Sequence, residues 1–199
     1  MVALVAVLLA WSAWHPRDTL TWFMEVLPVL LAAPILYATR KRFPLTALVA
    51  GLIAIHASIL IVGAHYTYAE VPAGFWVRDA LVLERNPYDR FGHFAQGFVP
   101  ALIAREILLR TSPLRRGGWL FFLVCCVALA ISACYEFVEW WAALLTGEAA
   151  TAFLGTQGDV WDTQWDMFTA LIGAIAAQAL LARLQDRQLD RLPAYGPTT

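Results

Sequence analysis

The side chains best suited to chemistry are carboxylates and imidazoles that recur at helical spacing. Three of these pairs carry the argument: Asp89 with His93, Glu136 with Glu139, and Asp162 with Asp166. Residues three or four apart lie on one face of a helix, so each pair predicts two neighbouring polar groups. A carboxylate beside an imidazole fixes its tautomer and raises its basicity, which suits proton transfer or metal binding.

Each pair also has a simpler explanation. Asp89 would be favoured in the first turn of a helix by the helix dipole, with His93 as an interfacial residue. Glu136 is harder to explain in this way, because it stands nine residues before the end of an apolar run. At 1.5 Å per residue it lies about 13 Å below that end, where an unpaired carboxylate is costly. A proton, a cation or a metal is therefore expected beside it.

Residues 158–166 place three carboxylates at positions i, i+3 and i+7, which form a single stripe if a helix begins near Asp159. Asp159 would then cap the helix, and Asp162 would favour its positive end. Capping does not account for Asp166, two turns into the helix. We expect a functional use for that residue.

Together these residues predict a polar site. The catalytic candidates are His93, Glu136 and Asp166, and the candidate ligands of a divalent metal are His93, Glu136, Asp162 and Asp166. The supporting candidates are Asp89, His65, Glu139 and Asp159. Carboxylate and imidazole suit zinc or a hard cation. Because no catalytic sequence motif accompanies them, a proton-linked polar network is an equal alternative.

The elements that carry these residues are predicted to be membrane helices. Sixty per cent of the 199 residues are apolar and 15% are charged, values typical of a chain embedded in lipid. Six apolar runs are about long enough to span: 1–14, 20–39, 45–64, 91–109, 119–145 and 167–184. The first is short, and we expect a span there rather than a removable signal peptide. The sequence predicts an all-α integral membrane protein, with one polytopic domain over 1–185 and a flexible cytoplasmic tail over 186–199.

Charge placement predicts the orientation. With a cytoplasmic N-terminus, ten of the fourteen basic residues fall on the cytoplasmic side and four outside, as the positive-inside rule requires. Twelve of the fifteen acidic residues then lie at or near the outer side. Both termini are therefore expected in the cytoplasm, with the candidate site at the outer boundary. The chain lacks the basic, aromatic-laced face that nucleic-acid binding needs, which excludes that class of partner.

Other polar or small residues in the spans allow two interpretations. Glu25 is either a solvated rim residue or a member of the same cluster, and His56 lies alone near mid-membrane, where it is typical of a hydrogen bond between helices. Gly173 with Ala177, or Ala170 with Ala174, gives a small-xxx-small spacing that favours close helix packing.

Four segments carry a resemblance to a known family: HYTYAEVP at 65–72, YDRFGHFAQGFVPA at 88–101, YEFVEWW at 135–141 and GTQGDVWDTQWDM at 155–167. Together they resemble the YjdF-like bacterial inner-membrane proteins, which carry a domain-of-unknown-function label. This resemblance covers nearly the whole chain and implies a polytopic inner-membrane protein. The chain also has a fainter similarity to VanZ-like membrane proteins. The order of motifs in those proteins is matched here by Asp89, His93, Phe94, Glu136 and Asp162. It implies, by analogy, a link to cell-envelope chemistry.

Three classes of function remain open. The leading hypothesis is a polar site at the outer face, with membrane lipids as partners, that binds or acts on a lipid or a lipid-linked envelope substrate, with or without a divalent metal. The second is a proton- or ion-coupled transporter, for which Glu25, His56 and Glu136 are possible relay points. The third is a noncatalytic scaffold. The residues alone do not decide whether the protein is an enzyme.

Overall fold

The described chain folds into helices. The computed structural model describes residues 1–147 and 151–192, and all regular elements in these ranges are helical. They are α1 (Val2–Ser12), α2 (Thr19–Thr39), α3 (Ala47–Tyr66), a 3₁₀ turn (Tyr68–Glu70), α4 (Pro72–Leu81), α5 (Tyr88–Thr111), α6 (Gly118–Thr146), α7 (Thr151–Leu154) and α8 (Asp162–Leu189). The predicted all-α class is confirmed.

Within residues 1–147 and 151–192, four helices are long and apolar enough to cross a membrane: α2, α3, α6 and α8. The predicted first span is only the 11 residues of α1, about 16 Å at 1.5 Å per residue, which is shorter than the hydrocarbon core. Helix α5 has 24 residues and is about 36 Å long. Because it carries charged side chains, it is not one of the four apolar helices. The predicted total of six spans therefore stays a prediction.

Three of the predicted segment assignments differ from the structure. The connection at residues 65–90 contains the 3₁₀ turn and α4, whose ten residues are too few to give a strong sequence pattern. The helix expected to begin near Asp159 begins at Asp162 instead. The stripe of three acidic residues is therefore wrong, because Asp159 precedes the helix and only Asp162 and Asp166 lie on it. At the other end, α8 continues to Leu189, and residues 193–199 of the predicted tail lie outside the described residues.

Polar contacts join the helix ends that carry most of the basic residues. Thr46, before α3, donates through its amide to Glu106 Oε1 of α5 at 3.0 Å. The amide of Leu48 donates to Gln188 Oε1 of α8 at 2.9 Å. We call this the basic end of the bundle. At the opposite, acidic end lie the loops before α2, between α3 and α5, and before α8.

Helices α5 and α8 pack closely because glycine replaces larger residues at their contact. A Cβ atom added to Gly97 would lie 1.7 Å from the Ala170 carbonyl oxygen, and one added to Gly173 would lie 2.2 Å from the Phe94 carbonyl oxygen. Both distances are far below van der Waals contact, so the two backbones touch only because these Cβ atoms are absent. The spacing of Ala170 and Gly173 thus serves close packing.

Candidate functional site

The acidic end of α5 is held by a reciprocal pair of amide contacts. The backbone amide of Asn86 donates to Gln157 Oε1 at 2.9 Å, and Gln157 Nε2 donates to the Asn86 carbonyl at 3.0 Å. The Asn86 side chain also donates to the Val71 carbonyl at 3.0 Å and accepts from the Tyr88 amide at 3.0 Å. These bonds fix the loop before α8 against the start of α5, five residues before His93.

Three ligand-type atoms from α5 and α8 converge at that point. His93 Nε2 lies 3.7 Å from Asp89 Oδ1 and 3.9 Å from Asp166 Oδ2, and one ligand atom from each residue lies within 4.8 Å of the others. All three side chains are buried. The separations exceed a hydrogen bond, whereas two ligands of a tetrahedral zinc ion lie about 3.4 Å apart at bond lengths of about 2.1 Å. The spacing fits groups that bind one ion.

Gln96 decides which nitrogen of His93 is available. Gln96 Oε1 lies 2.9 Å from His93 Nδ1, and because a carbonyl oxygen only accepts, Nδ1 carries the proton and donates. The lone pair of the ring is then on Nε2, the nitrogen that faces Asp89 and Asp166. Metal-binding histidines are commonly oriented by such a hydrogen bond from the second nitrogen.

Glu136 and Glu139 bring α6 to the same histidine. Glu136 Oε1 lies 3.9 Å from His93 Nδ1, and Glu136, Glu139 and His93 form a second group whose ligand atoms lie within 4.8 Å of one another. Glu136 Oε1 and Asp166 Oδ1 are both buried without a hydrogen-bond partner in the described part of the chain. Because Nδ1 is occupied by Gln96, the free lone pair of His93 lies on the Nε2 side, with Asp89 and Asp166, while Glu136 faces the Nδ1 side of the ring.

Arg85 connects three carboxylates at the mouth of the site. It donates to Asp162 Oδ1, to Asp89 Oδ2 at 3.1 Å and to the Gly155 carbonyl at 3.2 Å. Its Nη1 also lies 3.7 Å from Asp159 Oδ2. Burial opposes the charged guanidinium, but the hydrogen bond to Asp162 and the surrounding carboxylates outweigh it and raise the pKa of Arg85. The arginine therefore stays charged and leaves Asp89 Oδ1 free to face His93.

The charge balance favours further positive charge, supplied by protons or by a cation. The carboxylates around His93 are Asp89, Glu136, Glu139, Asp159, Asp162 and Asp166, and the arginines are Arg85 and Arg90. Arg90 pairs with Asp159 at 2.5 Å, at the more exposed edge. Six carboxylates against two guanidinium groups leave a negative excess in a largely buried space, where unpaired charge is costly.

Gly155 supplies the backbone shape that the mouth of the site requires. Its φ is +60°, a conformation that side chains other than glycine rarely adopt. A Cβ atom there would lie 3.6 Å from the Asp89 carboxylate. The glycine thus turns the loop so that its carbonyl accepts from Arg85 and no side chain lies between the loop and Asp89.

The structure gathers most of the predicted site residues and leaves three at its margin or beyond. His93, Glu136, Asp166, Asp89 and Glu139 lie together, whereas Asp162 and Asp159 are held by arginines at the mouth.

His65 lies apart from the cluster. Its ring contacts Trp11, with 4.3 Å between ring centroids, and its Nδ1 lies 3.1 Å from the Ser12 carbonyl. It therefore joins α3 to the end of α1.

Arg85 and Gln96 are the functional side chains that the sequence analysis missed. Arg85 stands four residues before Asp89, and Gln96 three after His93, so the same helical spacing that identified the pairs points to both. Arg85 was not predicted as a site residue because it precedes the helix and belongs to a connection expected to be irregular. Gln96 carries no charge, and only the contact of its amide with the ring shows its role.

Comparison with known proteins identifies the family of the chain. Residues 1–187 match the family described as "Predicted membrane protein (DUF2238)". The chain belongs to this family. The inner membrane protein YjdF of Escherichia coli (strain K12) is 56% identical over 187 residues, which cover 94% of this chain and 90% of that protein. No solved structure matches the chain.

Membership of the DUF2238 family confirms the resemblance expected from the four segments. With four helices apolar enough to span and a relative named as an inner-membrane protein, this DUF2238 protein is a multi-pass protein of the inner membrane. The carboxylate–histidine cluster lies entirely within the matched residues. The fainter similarity to VanZ-like proteins stays a prediction.

Proposed function

We propose that this protein binds a divalent transition-metal ion through Asp89, His93 and Asp166 at the outer boundary of the inner membrane. An ion held there would supply Lewis-acid chemistry at the polar head of a lipid or lipid-linked envelope substrate. The observation that carries the proposal is the convergence of Asp89 Oδ1, His93 Nε2 and Asp166 Oδ2. Mixed carboxylate and imidazole ligands suit zinc, manganese or iron. Three protein ligands leave a coordination position open for substrate, as in catalytic zinc sites.

Glu136 is then a base or acid next to the ion rather than a ligand. Its Oε1 is buried without a hydrogen-bond partner in the described part of the chain and lies 3.9 Å from Nδ1 of the ligating histidine, so it is available to accept from a water or a substrate hydroxyl. A carboxylate that accepts a proton beside a Lewis-acidic ion is a common arrangement for hydrolysis or group transfer.

The surroundings of the site favour an amphiphilic substrate. Exposed aromatic side chains from α6 and from the start of α8 lie at the acidic end: Trp140, Trp141, Trp161 and Trp165. Tryptophan is enriched where membrane meets water, so the cluster lies at headgroup depth. Arg90 lies over the Trp165 ring, 5.2 Å from its centroid, and offers a guanidinium to an anionic head. Under the positive-inside rule this end faces outward.

The test starts with metal content. The protein purified in detergent without chelator, measured by inductively coupled plasma mass spectrometry, is expected to hold about one equivalent of a divalent transition metal. His93→Ala and Asp166→Asn should each lose it, because each removes one of three ligands. His65→Ala is the matched control and should retain it, because His65 lies outside the cluster.

The substrate class is tested on the same preparation loaded with Co²⁺. Vesicles of phosphate-bearing lipid should change the visible spectrum of the bound ion, and vesicles of an uncharged glycolipid should not. Glu136→Gln is expected to keep the ion. A protein that binds no metal, even after reconstitution with Zn²⁺ or Mn²⁺, would refute the metal centre. A spectrum that no lipid alters would refute the lipid substrate alone.

A further inference from the structure

A second group of buried polar side chains lies beside the metal site and takes no part in it. Its central member is Glu25 of α2, which is 1% exposed. Both carboxyl oxygens are buried without a hydrogen-bond partner among residues 1–147 and 151–192. The interpretation of Glu25 as a solvated rim residue is therefore wrong, and its position six residues into α2 puts it about 9 Å below the helix start.

Three hydroxyls share this environment. Those of Thr21, Tyr68 and Tyr135 are also buried and have no partner in the described ranges. Thr21 stands four residues before Glu25, on the same face of α2. Tyr68 and Tyr135 both interact electrostatically with Glu25. Unpaired oxygens from α2, the 3₁₀ turn and α6 therefore surround one small region.

Tyr68 is placed there by two glycines. A Cβ atom on Gly63 would lie 1.6 Å from the Tyr68 ring, and one on Gly92 would lie 3.3 Å from it. The ring thus occupies space that any larger residue in α3 would fill, and its hydroxyl points into the bundle. Burial raises the pKa of Tyr68, so this phenol keeps its proton and remains a donor.

The charges around Glu25 do not balance a carboxylate. The titratable groups that act on it are Asp89 and Tyr88 of α5, Tyr68 of the 3₁₀ turn and Tyr135 of α6. None of these is a cation, and no salt bridge among the described side chains includes Glu25. A buried carboxylate without a cation costs far more than a neutral carboxylic acid with polar neighbours.

We infer that Glu25 is a proton-holding site: a neutral carboxylic acid whose oxygens, with the Thr21, Tyr68 and Tyr135 hydroxyls, hydrogen-bond to enclosed water. Water satisfies the four side chains at once, because it donates two hydrogen bonds and accepts two. The use of this proton by a reaction at the metal site rests on the proposed function. The proton site itself does not.

Infrared difference spectroscopy tests the inference directly. A protonated carboxyl group has a C=O stretch separate from that of a carboxylate, and it shifts in D₂O. The spectrum of the native protein minus that of Glu25→Gln at neutral pH should contain this band. Glu70→Gln is the matched control, because Glu70 is partly exposed and paired with Arg17 at 3.4 Å, and it should leave the band in place.

Tyr68→Phe provides a second test that keeps the ring between its glycines. It removes only the hydroxyl, so the Glu25 band should remain and shift as the carboxyl group loses part of its hydrogen bonding. A native-minus-Glu25→Gln spectrum without the band would overturn the inference. If Glu25→Gln does not fold, a Tyr68→Phe spectrum identical to that of the native protein would overturn the inference instead. Metal content separates the two proposals, since loss of the proton site leaves the ligands of the ion intact.

Discussion

His93 has two ring nitrogens, and in this site they have different neighbours. Nδ1 faces Gln96 at 2.9 Å, and Nε2 faces two carboxylates at 3.7 and 3.9 Å. The uncharged Gln96 therefore determines what the charged groups can do, because it holds the proton on Nδ1 and the lone pair on Nε2. It is a positioning residue that acts through the ring and need not touch an ion.

Replacement of Gln96 should weaken metal binding. We expect Gln96→Leu to lower the affinity for Zn²⁺ by about 10- to 100-fold, the usual effect of losing the partner of a ligating histidine. Gln96→Glu keeps an acceptor at the same place and should restore most of the affinity. Isothermal titration calorimetry of the purified variants measures both. An unchanged dissociation constant in Gln96→Leu would show that the amide does not orient the ring.

At the scale of the elements, the site depends on the distance between α5 and α8. His93 lies on α5 and Asp166 on α8, and the contact between the helices is closest at Gly97 and Gly173. Both glycines lie against backbone atoms of the opposite helix, which cannot move away as a side chain can. Any residue with a Cβ atom must therefore separate the helices themselves.

Gly173→Ala should destabilise the protein and weaken the site together. Overpacking of this kind costs about 1–3 kcal/mol, so we expect a lower Tm in detergent and reduced metal content. Gly51→Ala in α3 is the matched control, because a Cβ atom there meets nothing within 4 Å. Alanine is favoured over glycine in a helix by about 1 kcal/mol, so this variant should be as stable as the native protein or more so.

The sequence predicts more of the helices than of their contacts. Long apolar runs predicted the bounds of α2, α3 and α6 to within a few residues, and those of α8 less closely. The small-residue spacing around Gly173 predicted close packing but could not identify Gly97 as the opposite surface. Which residues of α5 face Gly173 depends on how far α5 and α8 are shifted along each other. The sequence of one helix does not determine this shift.

The same limit applies to the site. Helical spacing predicted that Asp89 lies beside His93 and Glu136 beside Glu139, because each pair lies within one helix. The separation of His65 from the cluster was not foreseeable, since it depends on the packing of α1 against α3. The burial of Glu25 was equally hidden, because the tyrosines around it come from the 3₁₀ turn and from α5 and α6.

For the whole molecule, charge separates the two ends of the bundle. The acidic end carries the carboxylate–histidine cluster, and the basic end is joined by contacts such as Arg116 with Asp190 at 2.5 Å. The hydrogen bond that Arg116 donates to Asp190 raises the pKa of Arg116, and burial opposes this rise only slightly. This charge stays at the surface, and under the positive-inside rule it predicts that this end faces the cytoplasm.

Cysteine labelling tests this orientation. In a background with the three native cysteines replaced by alanine, Asp79→Cys in α4 should react with a membrane-impermeant maleimide in spheroplasts. Arg115→Cys should react only after the membrane is broken. Both positions are exposed in the structure, so accessibility differs only by the side of the membrane. The reverse pattern would place the acidic end in the cytoplasm.

The Tyr68 ring between Gly63 and Gly92 bears on how the chain enters the membrane. The tyrosine stands between α3 and α5 in sequence, and the Tyr88 hydroxyl donates to the Ile59 carbonyl of α3 at 2.9 Å. The two helices and their connection thus meet within a short stretch of chain, at a small loop-closure cost. We therefore expect α3, α5 and the turn between them to associate early, with Tyr68 enclosed, before α6 and α8 complete the site.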